Sequence, residues 1–291
     1  MIPPRDITLA AAAYPIEALP DLGALETKLA DWVATAKADL LVFPEYAGME
    51  VALAGAPAGM DVASWCHHAA DLAATYWDML AELARKHGVY ILAGSLPARA
   101  DDGALRNRAQ FIAPSGQMAP QDKRMLTPWE RANTPLTPAS EVTTFDTDLG
   151  RIGVLICYDS EFPMTAQGLK ADLLLVPSCT DMTSGDGRVR VGARARALEH
   201  QAIAVHAPLL GAVEGCEIVD ENRGTAGIHA ACDAGLPEDG VLASGQPDMP
   251  GWVRATLDAG LISRTRAAAA VNVPGHWDES TALPTPILRR I

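Results

Sequence analysis

Six short, almost uninterrupted apolar runs constrain this chain more than any other feature. They lie at residues 7–13, 40–43, 89–93, 151–156, 172–176 and 202–206, each four to seven residues long. Strands that apolar need cover on both faces, as in the sheets of α/β proteins. The intervening segments supply it, because their apolar residues recur three and four apart. Leu22, Leu25, Leu29, Trp32 and Val33 share one face of a helix over 22–37. A second helix is expected over 64–87, with Ser64 as N-cap, a stripe of Leu72, Tyr76, Met79, Leu80 and Leu83, and Gly88 as its left-handed stop. A third runs over 188–201. Between 106 and 157 the pattern changes to two hairpins, 107–113 with 117–119 and 142–146 with 151–156. Further short runs at 216–219, 225–230, 240–243 and 252–257 precede a tail. These antiparallel additions predict mixed sheets, or two sheets packed together. No low-complexity linker divides the chain, so one domain over 1–273 with a tail at 274–291 is expected.

Composition removes several classes of function. Acidic side chains number 36 and basic ones 23, a formal net charge of −13. Such a surface repels phosphate backbones, so no nucleic-acid partner is expected. With 49% hydrophobic and 20% charged residues, the chain is not disordered. No apolar run reaches 18 residues, so no membrane span is expected. The run at 7–13 has Asp6 at its edge and ends at Pro15, which suits a buried strand better than a leader. Cysteines stand at 66, 157, 179, 216 and 232. Five at irregular spacing make no disulfide framework, and free thiols suit a cytoplasmic setting. Gly185-Asp186-Gly187, read as a loop, lacks the spacing of either nucleotide-binding fingerprint. Cys66-His67-His68 falls on a helix, where adjacent residues diverge, so it holds no metal. No cofactor is expected.

In α/β sheets, ligands bind beyond the carboxyl ends of strands. Glu45-Tyr46 follows the second apolar run, Cys157-Tyr158-Asp159 the fourth, Ser178-Cys179-Thr180-Asp181 the fifth, and His206 closes the sixth. A carboxylate and a thiol at two strand ends make a base and a nucleophile. Lys123, just after the first hairpin, offers an ammonium to a developing oxyanion. Residues 125–140 carry Pro128, Pro135 and Pro138 with Trp129 and Glu130, in the manner of an active-site wall. Cys179 is the rival nucleophile. His206 is read as a hydrogen-bonded core histidine, with a Cys-His pair as the alternative. Arg188, Arg190, Arg194 and Arg196 are read as a solvated or interfacial helix face in preference to a carboxylate clamp.

Phe43-Pro44-Glu45, then Lys123 with Leu126-Thr127-Pro128-Trp129-Glu130, then Gly153-Val154-Leu155-Ile156-Cys157-Tyr158-Asp159, resemble the carbon–nitrogen hydrolase (nitrilase) superfamily. The segment from Arg194 to Gln201 resembles the helix that follows the nucleophile in that family. One such motif is weak; four in order, over about residues 5 to 270, are specific. The resemblance implies an α/β fold, an α-β-β-α sandwich, commonly paired into a homodimer or higher homo-oligomer, with the tail at 274–291 as a possible clasp by analogy. It implies Cys157 as nucleophile, Glu45 as general base and acid, Lys123 as oxyanion stabiliser and Glu130 as a second glutamate that positions lysine or substrate. Tyr158 would offer its backbone N–H to the oxyanion, and Tyr46, Tyr158, Glu161 and Thr180 are expected to bind substrate. Lys123 is also expected to lower the Cys157 pKa. The implied reaction is hydrolysis of a small amide through a cysteine thioester, without metal or organic cofactor. An N-carbamoyl (ureido) hydrolase is the runner-up, and a nitrilase, an amine acyl transferase or a non-catalytic binding member are further alternatives. Ser160-Glu161-Phe162-Pro163-Met164 departs from the family's usual Arg-Phe-Pro-Glu. Glu161 therefore puts anionic substrates in doubt, while Cys157-Tyr158-Asp159 points away from nitriles.

Overall fold

The computed structural model describes residues 5–56, 59–283, 288 and 289. Its strands fall into two halves. One runs in the order β5 (Met118–Asp122), β4 (Leu105–Ile112), β3 (Tyr90–Arg99), β2 (Leu40–Val42), β1 (Ile7–Pro15) and β12 (Gly251–Leu257). The other runs β6 (Thr144–Thr147), β7 (Gly150–Val154), β8 (Leu173–Ser178), β9 (Ile203–Leu210), β10 (Gly227–His229) and β11 (Val241–Ser244). Strands β1–β3 and β7–β9 pair in parallel at the centre of each half, and the hairpin strands and β10–β12 add antiparallel edges. The halves join at a short seam, where Tyr14 pairs with Leu209 and Pro15 with Leu210.

Alternation along β1 shows how the layers are built. Leu9, Ala11 and Ala13 belong to a core with Leu40, Val42, Ile152, Val154, Leu173 and Leu175, which fills the space between the halves. The intervening Ala12 and Tyr14 join Leu41, Phe43 and Ile91 beneath the helices α1 (Leu22–Ala36), α2 (Met49–Leu53) and α3 (Val62–His87). Across the molecule, α6 (Thr183–His200) packs on β8 and β9. Period-two strands between period-3.6 helices thus produce the expected α-β-β-α sandwich. Shorter helices complete it: α4 (Pro128–Asn133), α5 (Pro163–Ala166), α7 (Leu261–Ala268) and α8 (Trp277–Thr281).

Three local expectations need correction. Asp61, not Ser64, caps α3, its carboxylate accepting the Ser64 N–H at 2.7 Å. Helix α6 begins at Thr183, so Gly185-Asp186-Gly187 lies in its first turns and not in a loop. Glycine disfavours a helix, but a Cβ on Gly185 would stand only 3.1 Å from the Thr180 side chain, so tertiary packing selects it. Residues 216–219 form turns in place of a strand, with Val219 N–H bonded to Cys216 O at 2.9 Å. Of the tail at 274–291, residues 274–281 form a 3-10 turn and α8, while 284–287, 290 and 291 lie outside the described residues, so the expected clasp is not tested. Among the described residues no helix is long and apolar enough to cross a membrane.

Gly94 in β3 is required by its neighbour. Its φ is +72°, and a Cβ there would lie 2.2 Å from the Pro44 carbonyl oxygen. Pro44 terminates β2 and delivers the next residue, Glu45, to the space between the halves. Gly94→Ala is therefore expected to cost about 1–3 kcal/mol of stability and to displace Glu45. Thermal denaturation, together with turnover on any hydrolysed amide, checks both effects.

Candidate active site

Two backbone positions near this strand end and its counterpart are strained. Tyr46 and Cys157 have φ of +59° and +50°, values that L-residues rarely adopt. Both follow an apolar strand end, and such strain persists only where the surroundings over-determine it. At Cys157 the surroundings are explicit. The buried Asp159 carboxylate accepts the Ile156 N–H at 3.1 Å and the Met125 N–H at 2.7 Å. Ser160 Oγ donates to the Cys157 carbonyl at 2.7 Å. The cysteine thus sits on the first turn of a short 3-10 helix, Cys157–Glu161.

Lys123 lies just past β5, its N–H donating to Asn107 O at 2.9 Å. Its side chain is 1% exposed, and its ammonium stands between two buried carboxylates. Nζ is 2.7 Å from Glu45 Oε1, and 3.0 and 2.8 Å from the two oxygens of Glu130. Glu130 is itself fixed by a capping box at the start of α4, where its Oε2 accepts the Thr127 N–H at 2.7 Å. Tyr46 Oη donates to Glu130 Oε1 at 2.7 Å. Asn107 Nδ2 donates to Glu45 Oε1 at 2.9 Å and to Glu130 Oε1 at 3.3 Å. The backbone N–H of Cys179 donates to Glu45 Oε2 at 3.0 Å. Every oxygen of the two carboxylates is therefore occupied.

These contacts divide the two acids. Burial pushes Glu45 above the ordinary glutamate value despite Lys123. Burial acts on Glu130 too, but Lys123, the Thr127 N–H and Tyr46 outweigh it and hold Glu130 below that value. Burial also opposes the Lys123 charge, yet the two carboxylates together keep it well above the usual lysine range. The Cys157 thiol is pushed well up, by burial and then by the negative charge of Glu45, with Lys123 only partly offsetting them. Lys123 thus lowers the thiol pKa as expected, but burial and Glu45 outweigh it, and the thiol rests above the ordinary cysteine value. Asp159 is pushed up to about 6, chiefly by burial.

Glu45, Lys123, Glu130 and Cys157 line one cavity of about 540 Å³, and the same cavity takes in Tyr46, Tyr158, Glu161 and Thr180. Asn107 was read only as part of a hairpin; the available signal was a polar residue on the alternating face shared with Leu105, Ala109 and Phe111 of β4. Cys179, the rival thiol, lines the cavity with its Sγ 2.9 Å from Asn222 Oδ1. His206 is a core histidine, its Nε2 2.8 Å from Ser178 Oγ. The four arginines do not form one solvated face. Arg188 reaches the cavity and pairs with Glu161. Arg196 is buried and donates to the Ser160 carbonyl at 3.1 Å, because Gly192, one turn earlier, lets α6 approach that carbonyl closely. Among the described residues no group of three or more His, Cys, Asp or Glu side chains is placed to hold a metal.

The carbon-nitrogen hydrolase family model matches residues 8–228. The chain belongs to that family. It is 32% identical over 200 residues to a probable hydrolase, YhcX, of Bacillus subtilis, covering 67% of this chain and 39% of that protein. It is 28% identical over 144 residues to the deaminated glutathione amidase of Yersinia enterocolitica, covering 45% of this chain and 50% of that one. The matched stretches thus span half or less of these curated relatives' length. Among solved structures, a CN-hydrolase superfamily protein from Xanthomonas campestris superposes with a TM-score of 0.71 at 17% identity, covering 98% of this chain and 99% of that one. At that identity it attests the shared fold.

Removing the ammonium from between the two acids leaves buried negative charge uncompensated. Lys123→Met is expected to destabilise the folded chain by about 3–5 kcal/mol near neutral pH. Without Lys123 both carboxylates have folded pKa values above their unfolded ones, so the deficit grows as pH rises through that interval and shrinks in acid. Denaturation midpoints of variant and parent at pH 5 and pH 8 check the sign.

Proposed function

We propose that this carbon–nitrogen hydrolase cleaves a small, non-peptide amide to a carboxylic acid and ammonia or an amine, through a thioester on Cys157. The observation that carries this reading is a raised, buried carboxylate, Glu45, hydrogen-bonded to the Lys123 ammonium at 2.7 Å in the cavity that holds the thiol. A neutral resting thiol needs a base at the moment of attack, and a carboxylate with an elevated pKa is suited to that task.

In the proposed sequence Glu45 takes the thiol proton as Cys157 Sγ bonds to the amide carbon. The carbonyl π electrons move to oxygen, and the Lys123 ammonium and the Tyr158 N–H stabilise the oxyanion. The oxyanion collapses, the C–N bond breaks, and Glu45 returns the proton to the departing nitrogen. Water then enters, gives its proton to Glu45, and adds to the thioester carbon. Collapse of that second intermediate breaks the C–S bond and releases the acid, while Glu45 returns its proton to the departing sulfur and so restores both thiol and carboxylate. Glu130 remains charged throughout, holding Lys123 in place. Lys123 thus serves two roles without losing its own proton.

The experiment is ammonia release from aliphatic, aromatic and amino-acid amides, with nitriles and N-carbamoyl compounds in the same panel. Amide turnover is expected, and Cys157→Ala is expected to lower it by at least about 10³-fold, since nucleophile and base act as a unit. Mass spectrometry of the quenched enzyme should find the acyl group on Cys157. Turnover that survives Cys157→Ala overturns the reading. The acid limb of kcat/KM is expected above the ordinary glutamate value, because Glu45 must be ionised to accept the thiol proton. Glu45→Gln is expected to remove activity together with that limb.

A further inference from the structure

Glu45 and Glu130 draw on nearly the same set of hydrogen-bond donors. Lys123 Nζ serves both, at 2.7 Å from Glu45 Oε1 and at 3.0 and 2.8 Å from the two oxygens of Glu130. Asn107 Nδ2 serves both, at 2.9 and 3.3 Å. Each acid also takes one backbone N–H, Glu45 from Cys179 at 3.0 Å and Glu130 from Thr127 at 2.7 Å. One partner is left on each side, and here the two acids differ. Glu45 interacts with the Cys157 thiol, the proton source in the proposed reaction. Glu130 has Tyr46 instead, whose Oη donates to Oε1 at 2.7 Å.

The backbone delivers that hydroxyl at a cost. Tyr46 holds the left-handed φ of +59°, fixed on both sides: its N–H donates to Ser95 Oγ at 3.1 Å, and its carbonyl accepts the Met49 N–H at 3.0 Å. The residue is buried, and the single hydrogen of its hydroxyl points inward, to Glu130. Burial and the two carboxylates push Tyr46 well above the ordinary tyrosine value, so it stays a donor. The other titratable groups whose charge bears on Glu130 are Lys123, Glu45, and the Cys66 and Cys179 thiols, both pushed up by burial and so neutral. Of these, Lys123 alone is positive, and Glu45 shares it.

We infer that Tyr46 is a positioning residue for the proton: its hydroxyl keeps Glu130 ionised, so that the proton taken from Cys157 rests on Glu45 until the departing nitrogen receives it. This rests on the amide-hydrolase reading and adds to it a residue that acts through Glu130. The need for such a residue lies in Lys123. Because its ammonium touches both acids, a proton on Glu45 has a way out: Nζ can hand one proton to Glu130 and take one from Glu45, with no net change on the lysine. That transfer leaves Glu45 without the proton that the leaving group requires. A hydrogen bond to the ionised form of Glu130 makes it the poorer acceptor and closes the path.

Tyr46→Phe removes the hydroxyl and keeps the ring. With any amide that the enzyme turns over, the acid limb of kcat/KM is expected to move to higher pH in this variant by at least about 0.3 unit, the shift when two acids share one proton equally. The loss of rate should fall on kcat, several-fold, with KM little changed. A limb that stays in place overturns the inference; a rise in KM alone would give the hydroxyl to substrate binding instead. A second readout needs no substrate. Carbon-13 NMR of enzyme labelled at the glutamate carboxyls, with signals assigned through Glu45→Gln and Glu130→Gln, should find Glu45 titrating above the ordinary glutamate value and Glu130 below it. In Tyr46→Phe the Glu130 titration is expected to rise into the range of Glu45. Glu130 unmoved in that variant overturns the inference whatever the rates do, and leaves the hydrolase reading intact if amides are still cleaved. A moved Glu130 with no amide turnover and no acyl group on Cys157, even in the parent, would instead remove the hydrolase reading, and the proton's route with it.

Discussion

A lysine ammonium enclosed by two carboxylates, away from water, is the arrangement on which the rest of this structure depends. One positive charge cannot satisfy two buried negative ones, and the surroundings settle the imbalance unequally. Glu130 receives a capping-box N–H, a tyrosine hydroxyl and the ammonium on both of its oxygens. Glu45 receives a share of Lys123, the Asn107 amide and one N–H. Two identical side chains a few ångströms apart thereby acquire opposite tendencies, one to stay charged and one to accept a proton. No metal is needed to create that difference.

The scaffold keeps the cluster in register with the thiol through contacts that are individually ordinary. Asp159 ties the backbone just after Lys123 to the backbone just before Cys157, so the ammonium and the thiol share one fastening. Arg196 and Gly192 hold α6 against the carbonyl of Ser160. Gly94 lets β3 pass under Pro44 without a side chain in the way. Positioning of this kind matters because a shift of about 1 Å at the reacting atoms can cost two orders of magnitude in rate.

Much of this was legible in the sequence, for identifiable reasons. Apolar strand runs and helical stripes are local patterns, so the layers and most elements follow from them. Glu45, Cys157 and Lys123 stand at ends of such runs, which made them visible as candidates before any fold was known. What escaped were properties set across the fold. Ser64 lost its capping role to Asp61, a shift of one turn that local pattern does not resolve. The Gly185-Asp186-Gly187 stretch reads as a loop until Thr180 is seen packed against it. Asn107 looks like one more strand residue until Glu45 and Glu130 arrive from far along the chain. The thiol's elevated pKa is likewise a matter of burial, which spacing does not report.

The short seam between β1 and β9 has a consequence for the life of the chain before it is folded. Glu45 and Lys123 belong to one half of the sandwich, Cys157 to the other, and among the described residues two residue pairs join the halves along their strands. Strand β12 returns to pair with β1, so the first half is complete only once residues 251–257 have joined residues 7–13. Until the halves close, Cys157 has neither Glu45 nor Lys123 beside it. The surroundings of this thiol are therefore set by contacts far apart in the sequence, which form later than local structure.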